Sequence, residues 1–187
     1  MLLDVFLLLV AVGVIALAAA EGAVRAFFLL LSFYMLCVVI GMMILGFDIV
    51  SNLTDAIIGS ISQGAVNRKL YQATIFLGLL IPLTVLAYAL SHITFKDTQL
   101  TKLQWGDNVL GTFVGALTAI LIMAILCNTW GVLVSERWQP QRTWRTMWTE
   151  YQTSILRPWL NRVLVTYRGF VFPFEVRAYP VFFIPQS

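Results

Sequence analysis

The sequence predicts an all-α, polytopic membrane protein. It should have four transmembrane helices, an interfacial amphipathic helix and an extended C-terminal tail rich in aromatic residues and arginine. Three observations carry this. Of 187 residues, 60% are apolar and only 11% charged, whereas a soluble domain is near a quarter charged and about half apolar. Four apolar runs reach the roughly 20 residues that a hydrocarbon core of about 30 Å requires. Every charge except Asp4 falls in a connection between those runs or in the tail. A formal charge of +3 leaves too small an electrostatic footprint for nucleic acid.

The first run, residues 2–20, ends in Ala-Leu-Ala-Ala-Ala-Glu and so resembles a secretory signal. Its start carries Asp4 and no Lys or Arg, which contradicts the basic n-region of such signals. It is therefore expected to stay as a membrane helix. Residues 26–47 form an uncharged second span. Residues 48–70 are too polar to cross. Ile49, Leu53, Ile57, Ile61 and Ala65 recur every fourth residue there, the period of an amphipathic helix lying in the interface or packed beneath its neighbours. Residues 71–93, with Pro82 near the centre, and residues 109–134 complete the spans. The connections between the first two and between the last two are short. Each pair should therefore be antiparallel neighbours.

Residues 1–134 thus read as a transmembrane domain and 135–187 as a tail that binds the interface or a partner. Seven of the twelve basic residues are arginines of this tail. Trp144, Trp148, Tyr151 and Ile155 form a stripe at helical spacing after Pro140, and Trp and Tyr favour the headgroup level. The spacing predicts an interfacial helix of about four turns that bends at Pro158. Trp and Arg also mark protein interfaces, so Trp144, Trp148, Tyr151, Arg142 and Arg145 are candidate partner contacts. The last stretch, Phe170–Ser187, holds three prolines among apolar residues and should be extended and docked on a surface. Short-range counting puts Arg68, Lys69, Arg137, Arg142 and Arg145 on the side of the termini and Arg25, Lys96 and Lys102 opposite. That balance favours cytoplasmic termini.

Chemistry-bearing residues are few. His92 is the sole histidine; it could ligate a pigment or haem through its imidazole, but at a helix end a hydrogen-bonding role is the commoner one. Cys37 and Cys127 lie in separate spans without metal-ligand spacing and read as small apolar residues. No cofactor, metal or small-molecule substrate emerges. Asp4 and Asp107 open the first and fourth spans. A carboxylate there suits helix capping and the macrodipole, or marks a polar site between these helices with Arg25 or Lys102. Asp107, Gly111, Gly115 and Ala119 fall at four-residue steps on one face. Gly13, Ala16 and Ala20 make a similar strip on the first helix, and Cys37 with Gly41 on the second. Small residues let helices approach closely in lipid, so these faces are expected to form packing seams within the chain or between copies.

Two stretches resemble the CvpA (colicin V production protein) family. One is Leu3-Asp4 followed by Glu21-Gly22-Ala-Val-Arg25 at the turn into the second helix. The other is Gly106-Asp107-Asn108-Val-Leu-Gly111-Thr-Phe-Val-Gly115. Glu21 stands where that family usually has a basic residue, and Thr118 or its neighbours stand where it often has arginine. The resemblance implies a four-span bacterial inner-membrane protein linked to colicin V export and to envelope or biofilm processes, with no enzymatic activity established. Such a protein is expected to act by helix packing and association, with lipid, other membrane subunits or its own copies as partners. The alternatives are an accessory subunit of a photosynthetic or respiratory complex, and a small channel or transporter. Few intramembrane charges disfavour the latter.

Overall fold

A computed structural model describes residues 1–46, 68–94, 104–135 and 140–171. These form six helices: α1 (Leu2–Glu21), α2 (Ala23–Gly46), α3 (Arg68–Thr94), α4 (Gln104–Val134), α5 (Gln141–Gln152) and α6 (Arg157–Val171). The first four each contain an apolar stretch long enough to cross a membrane. Most of the segment expected to be an interfacial helix, residues 48–67, lies outside the described residues; 68–70 belong to α3. Of the stretch expected to be extended, Phe170 and Val171 instead end α6, and residues 172–187 lie outside the described residues.

The turn between α1 and α2 is a single residue. Gly22 donates its N–H to the Ala18 carbonyl at 3.1 Å, closing α1, and its own carbonyl receives the Ala26 N–H at 3.1 Å, opening α2. Its φ is +87°, a conformation that glycine adopts without the steric cost of a side chain. So abrupt a reversal splays the two helices, and they do not become the principal neighbours that the short connection suggests. α1 lies chiefly against α4, and α2 against α4 and α3.

The helix that all others use is α4. In its apolar stretch 44% of residues are buried, against 17% for α3. Two glycines explain why α1 comes so close. A Cβ on Gly111 would stand 2.6 Å from the Ala18 carbonyl oxygen and 3.0 Å from the Gly22 carbonyl carbon, and one on Gly115 would collide with the Ala18 methyl. Ala119 continues this seam and is fully buried. Lipid offers no hydrophobic drive for helix association, so close backbone contact supplies it through dispersion.

Hydroxyls inside the spans are satisfied locally. Thr84 donates to the Leu80 carbonyl at 2.7 Å, Thr118 to Val114 at 2.9 Å and Thr129 to Ile125 at 2.7 Å. These bonds remove the need for a polar partner where water is absent. The Thr84 bond lies beside Pro82, which lacks the N–H that the helix would otherwise use.

The tail is two helices rather than one. α5 ends at Gln152, and α6 starts at Arg157 with Pro158 in its first turn, where proline removes no intrahelical bond. The bend thus falls at residues 153–156, ahead of Pro158. α6 packs Leu160 and Leu164 inward and lies on α4. Its Tyr167 ring reaches 6.5 Å from Tyr34, about midway along α2, so α6 runs down the flank of the bundle instead of across its end.

Substitution at the glycine seam separates close packing from mere small size. Gly115→Leu should destabilise the bundle by about 1–3 kcal/mol. Gly13→Leu should change little, because nothing lies within 4 Å of a Cβ there. Thermal unfolding of the detergent-solubilised variants measures both.

Candidate functional site

Polar side chains gather at the two ends of the bundle. At the end where α1 turns into α2, Asp107 in the first turn of α4 is 4% exposed. Its Oδ1 accepts the Ala23 N–H at 2.9 Å. The carboxylate therefore caps α2 and not its own helix. It sits so tightly on the turn that a Cβ at Gly22 would collide with it. A helix start buried among apolar residues needs such an acceptor, because its first N–H groups have none within the helix.

Beside this cap, Glu21 Oε1 accepts the Tyr88 hydroxyl at 2.5 Å and lies 3.0 Å from His92 Nε2. The Tyr88 and His92 rings meet edge to face at 4.8 Å. The three residues clasp the last two turns of α3 to the last turn of α1. His92, a candidate ligand from its position in the sequence, thus has Nε2 directed at a carboxylate.

At the opposite end the capping is reciprocal. Asp4, buried in the first turn of α1, accepts the Ser154 hydroxyl at 2.6 Å and the Leu156 N–H at 3.3 Å through Oδ1, and the Ile155 N–H at 3.4 Å through Oδ2. Ser154 Oγ in turn accepts the Arg157 N–H at 3.3 Å, so Asp4 and Ser154 together start α6. Glu150 of α5 caps α1 in exchange, taking the Leu2 N–H at 2.6 Å and the Met1 ammonium. The ammonium, and behind it the Leu2 and Leu3 N–H groups, hold the Glu150 carboxyl below the usual carboxylate range against a smaller opposing effect of burial.

Asp4 and Asp107 consequently lie at opposite ends and do not form one polar site between α1 and α4. Each carboxylate is bonded to the start of another helix, because that is where unpaired N–H groups lie. Lys102 is outside the described residues. On α1 it is Ala18 that enters the seam; Gly13, Ala16 and Ala20 face outward. Cys37 and Gly41 are buried on α2. In the tail, Trp144 and Trp148 stack at 5.8 Å, and Tyr151 is fully buried with the Arg157 guanidinium 4.3 Å over its ring. Trp144 donates to the Val134 carbonyl at 3.1 Å, and Trp130 of α4 to the Met147 carbonyl at 3.2 Å. The aromatic stripe therefore faces this chain's own α4. Ile155 leaves the stripe and is 70% exposed, since the helix ends before it. Arg142 and Arg145 point outward. Among the described residues no group of three or more His, Cys, Asp or Glu side chains stands together.

The sequence pattern did not single out Glu21, Glu150 or Ser154. Glu21 had one signal: a charge directly before a lone glycine between two spans. The other two depend on how the tail folds back.

A family model described as colicin V production protein matches residues 3–165. The chain belongs to that family. Its match spans α1 to α5 and the first part of α6, and so includes both Asp4 and Ser154. No curated protein and no solved structure matches the chain.

Two measurements probe the caps of this colicin V production family member. Asp107→Ala should cost about 1–3 kcal/mol by leaving a buried N–H unpaired, and Asp107→Asn, which keeps an acceptor, should cost less; unfolding curves in detergent compare them. A lowered pKa makes the Glu150 contact fully effective above the ordinary carboxylate pKa of about 4.3. It is lost as pH falls through the lower folded value. Proteolysis of the tail should stay unchanged from pH 7 to about pH 4.5 and rise below that, and Glu150→Gln should abolish this acid step.

Proposed function

We propose that this protein is a non-enzymatic membrane component of the bacterial cytoplasmic membrane that works by association. Its tail platform, α5 with the start of α6, presents arginines to the acidic surface of a protein partner. The observation that carries this reading is the orientation of α5. Its aromatic face is used up on α4, while Arg142 and Arg145 stand exposed on the other side. Exposed arginines on a rigid helix suit carboxylate recognition through their planar, forked donors.

The carboxylates of the spans support the same view. Asp4 and Asp107 are engaged in holding helix starts, and Glu21 in joining α1 to α3. They act as structural members rather than as a pathway for ions or a catalytic pair. The family's link to colicin V production fits a component that supports a larger export or envelope process.

Sizing the protein after mild solubilisation of native cytoplasmic membranes tests the proposal. It should migrate in an assembly larger than itself without pigment or haem. Arg142→Glu with Arg145→Glu should release it while leaving its own melting temperature within about 2 °C, as expected of exposed positions. Migration as a lone oligomer would overturn the proposal. Comigration with pigments or haems would assign it instead to an energy-converting complex.

A further inference from the structure

α1, with 20 residues, is about 30 Å long and matches the full hydrocarbon thickness. Its first turn, where Asp4 receives the Ile155 and Leu156 N–H groups, therefore marks one edge of the bilayer, and α6 starts at that edge. From there α6 runs inward. Tyr167 meets Tyr34, about midway along α2, and the helix from Arg157 to Tyr167 rises about 15 Å, half of the hydrocarbon. α6 thus dips into one leaflet, although its 15 residues are too few to cross.

One face of α6 is taken up by the bundle, since Leu160 and Leu164 are buried against α4. The other face exposes Trp159, Arg162, Val165 and Thr166. Thr166 donates to the Arg162 carbonyl at 3.3 Å, so its hydroxyl is satisfied. The Arg162 guanidinium has no bonded partner among the described residues. The carboxylates described, Asp4, Glu21, Asp107 and Glu150, are all engaged elsewhere. The Arg162 Cα lies about 8 Å inward from the start of α6, at a depth where an unpaired cation is costly. A helical side chain leans toward the N-terminus of its helix, which here is the edge of the bilayer. Arg162 is thereby directed to the level of the headgroups, with Trp159 one turn nearer water and Val165 one turn deeper.

We propose that the outer face of α6 holds one anionic phospholipid, with the Arg162 guanidinium on its phosphate. A guanidinium donates to two phosphate oxygens through its planar fork. With no carboxylate to balance it, Arg162 leaves a positive charge that a singly anionic head neutralises. A zwitterionic head brings its own cation and does not. The order along the face suits a lipid lying alongside: Trp159 at the interfacial boundary, Arg162 at the phosphate and Val165 beside the acyl chain. This inference does not rest on the arginine platform proposed above, which concerns α5 and a protein partner.

Native mass spectrometry of the full chain in detergent, with phosphatidylglycerol and phosphatidylcholine of identical chains added in turn, tests it. The wild-type chain should retain one phosphatidylglycerol about tenfold over phosphatidylcholine, as one charge-assisted hydrogen bond gives. Arg162→Gln should erase that preference and leave the melting temperature within about 2 °C. Arg142→Gln with Arg145→Gln should leave the preference intact. Equal retention of the two lipids by the wild-type chain would overturn the proposal, as would a preference that survives Arg162→Gln or disappears with the α5 variant. Depth has its own readout in phosphatidylglycerol vesicles. A nitroxide on Val165→Cys, with the native Cys37 and Cys127 buried, should be relaxed more by oxygen than by a water-soluble nickel chelate; the reverse would place α6 outside the bilayer and sink the assignment.

Discussion

A helix start in a low-dielectric setting leaves several N–H groups without partners, and in this protein carboxylates from other helices take them. Asp107 on α4 holds the start of α2, Asp4 on α1 holds the start of α6, and Glu150 on α5 holds the start of α1. Each bond is made between elements far apart in sequence. Each therefore fixes tertiary position as well as satisfying the backbone. Water could replace such caps on a soluble helix at little cost. At the rim of a bilayer it does so poorly, so the caps govern how the bundle closes.

Close packing completes what the caps begin. Asp107 can reach Ala23 only because α4 comes down onto the Gly22 turn, and it does so because Gly111 and Gly115 present no side chains to Ala18. The positive φ of Gly22 lets the chain reverse in one residue, and its missing side chain leaves room for the Asp107 carboxylate. Capping, seam and turn are three aspects of one contact between α1 and α4. Threonine hydroxyls bonded to their own helices then allow polar residues in the spans without calling for a site.

The tail depends on the same logic at the other end. Its aromatic face closes over α4, and its break at residues 153–156 places Ser154 and the following N–H groups on Asp4. Orientation of α5 follows: once Tyr151 and the paired tryptophans are spent on the bundle, the arginines are what is left to face outward. The functional reading of this family member as an associating component comes from that division of labour between two faces of one helix.

Composition and spacing determined that the chain is helical, that it crosses a membrane four times and that it has an amphipathic aromatic tail, because these depend on the length and period of apolar runs. The small-residue face of α4 was legible for the same reason: four-residue steps align on any helix. Which partner each face meets was not. Gly13, Ala16 and Ala20, at steps of three and four, form a small-residue strip similar to that of Gly111, Gly115 and Ala119, yet they face outward, since the rotation of α1 is set by Ala18, Asp4 and the Gly22 turn together. Nor could sequence separate a carboxylate that caps its own helix from one that caps another. Asp4 and Asp107 look alike in the sequence and end up at opposite ends of the bundle, holding helices that begin 153 and 84 residues away. Only the folded chain decides that, because a hydrogen bond to a helix start is a matter of where two backbones meet in space.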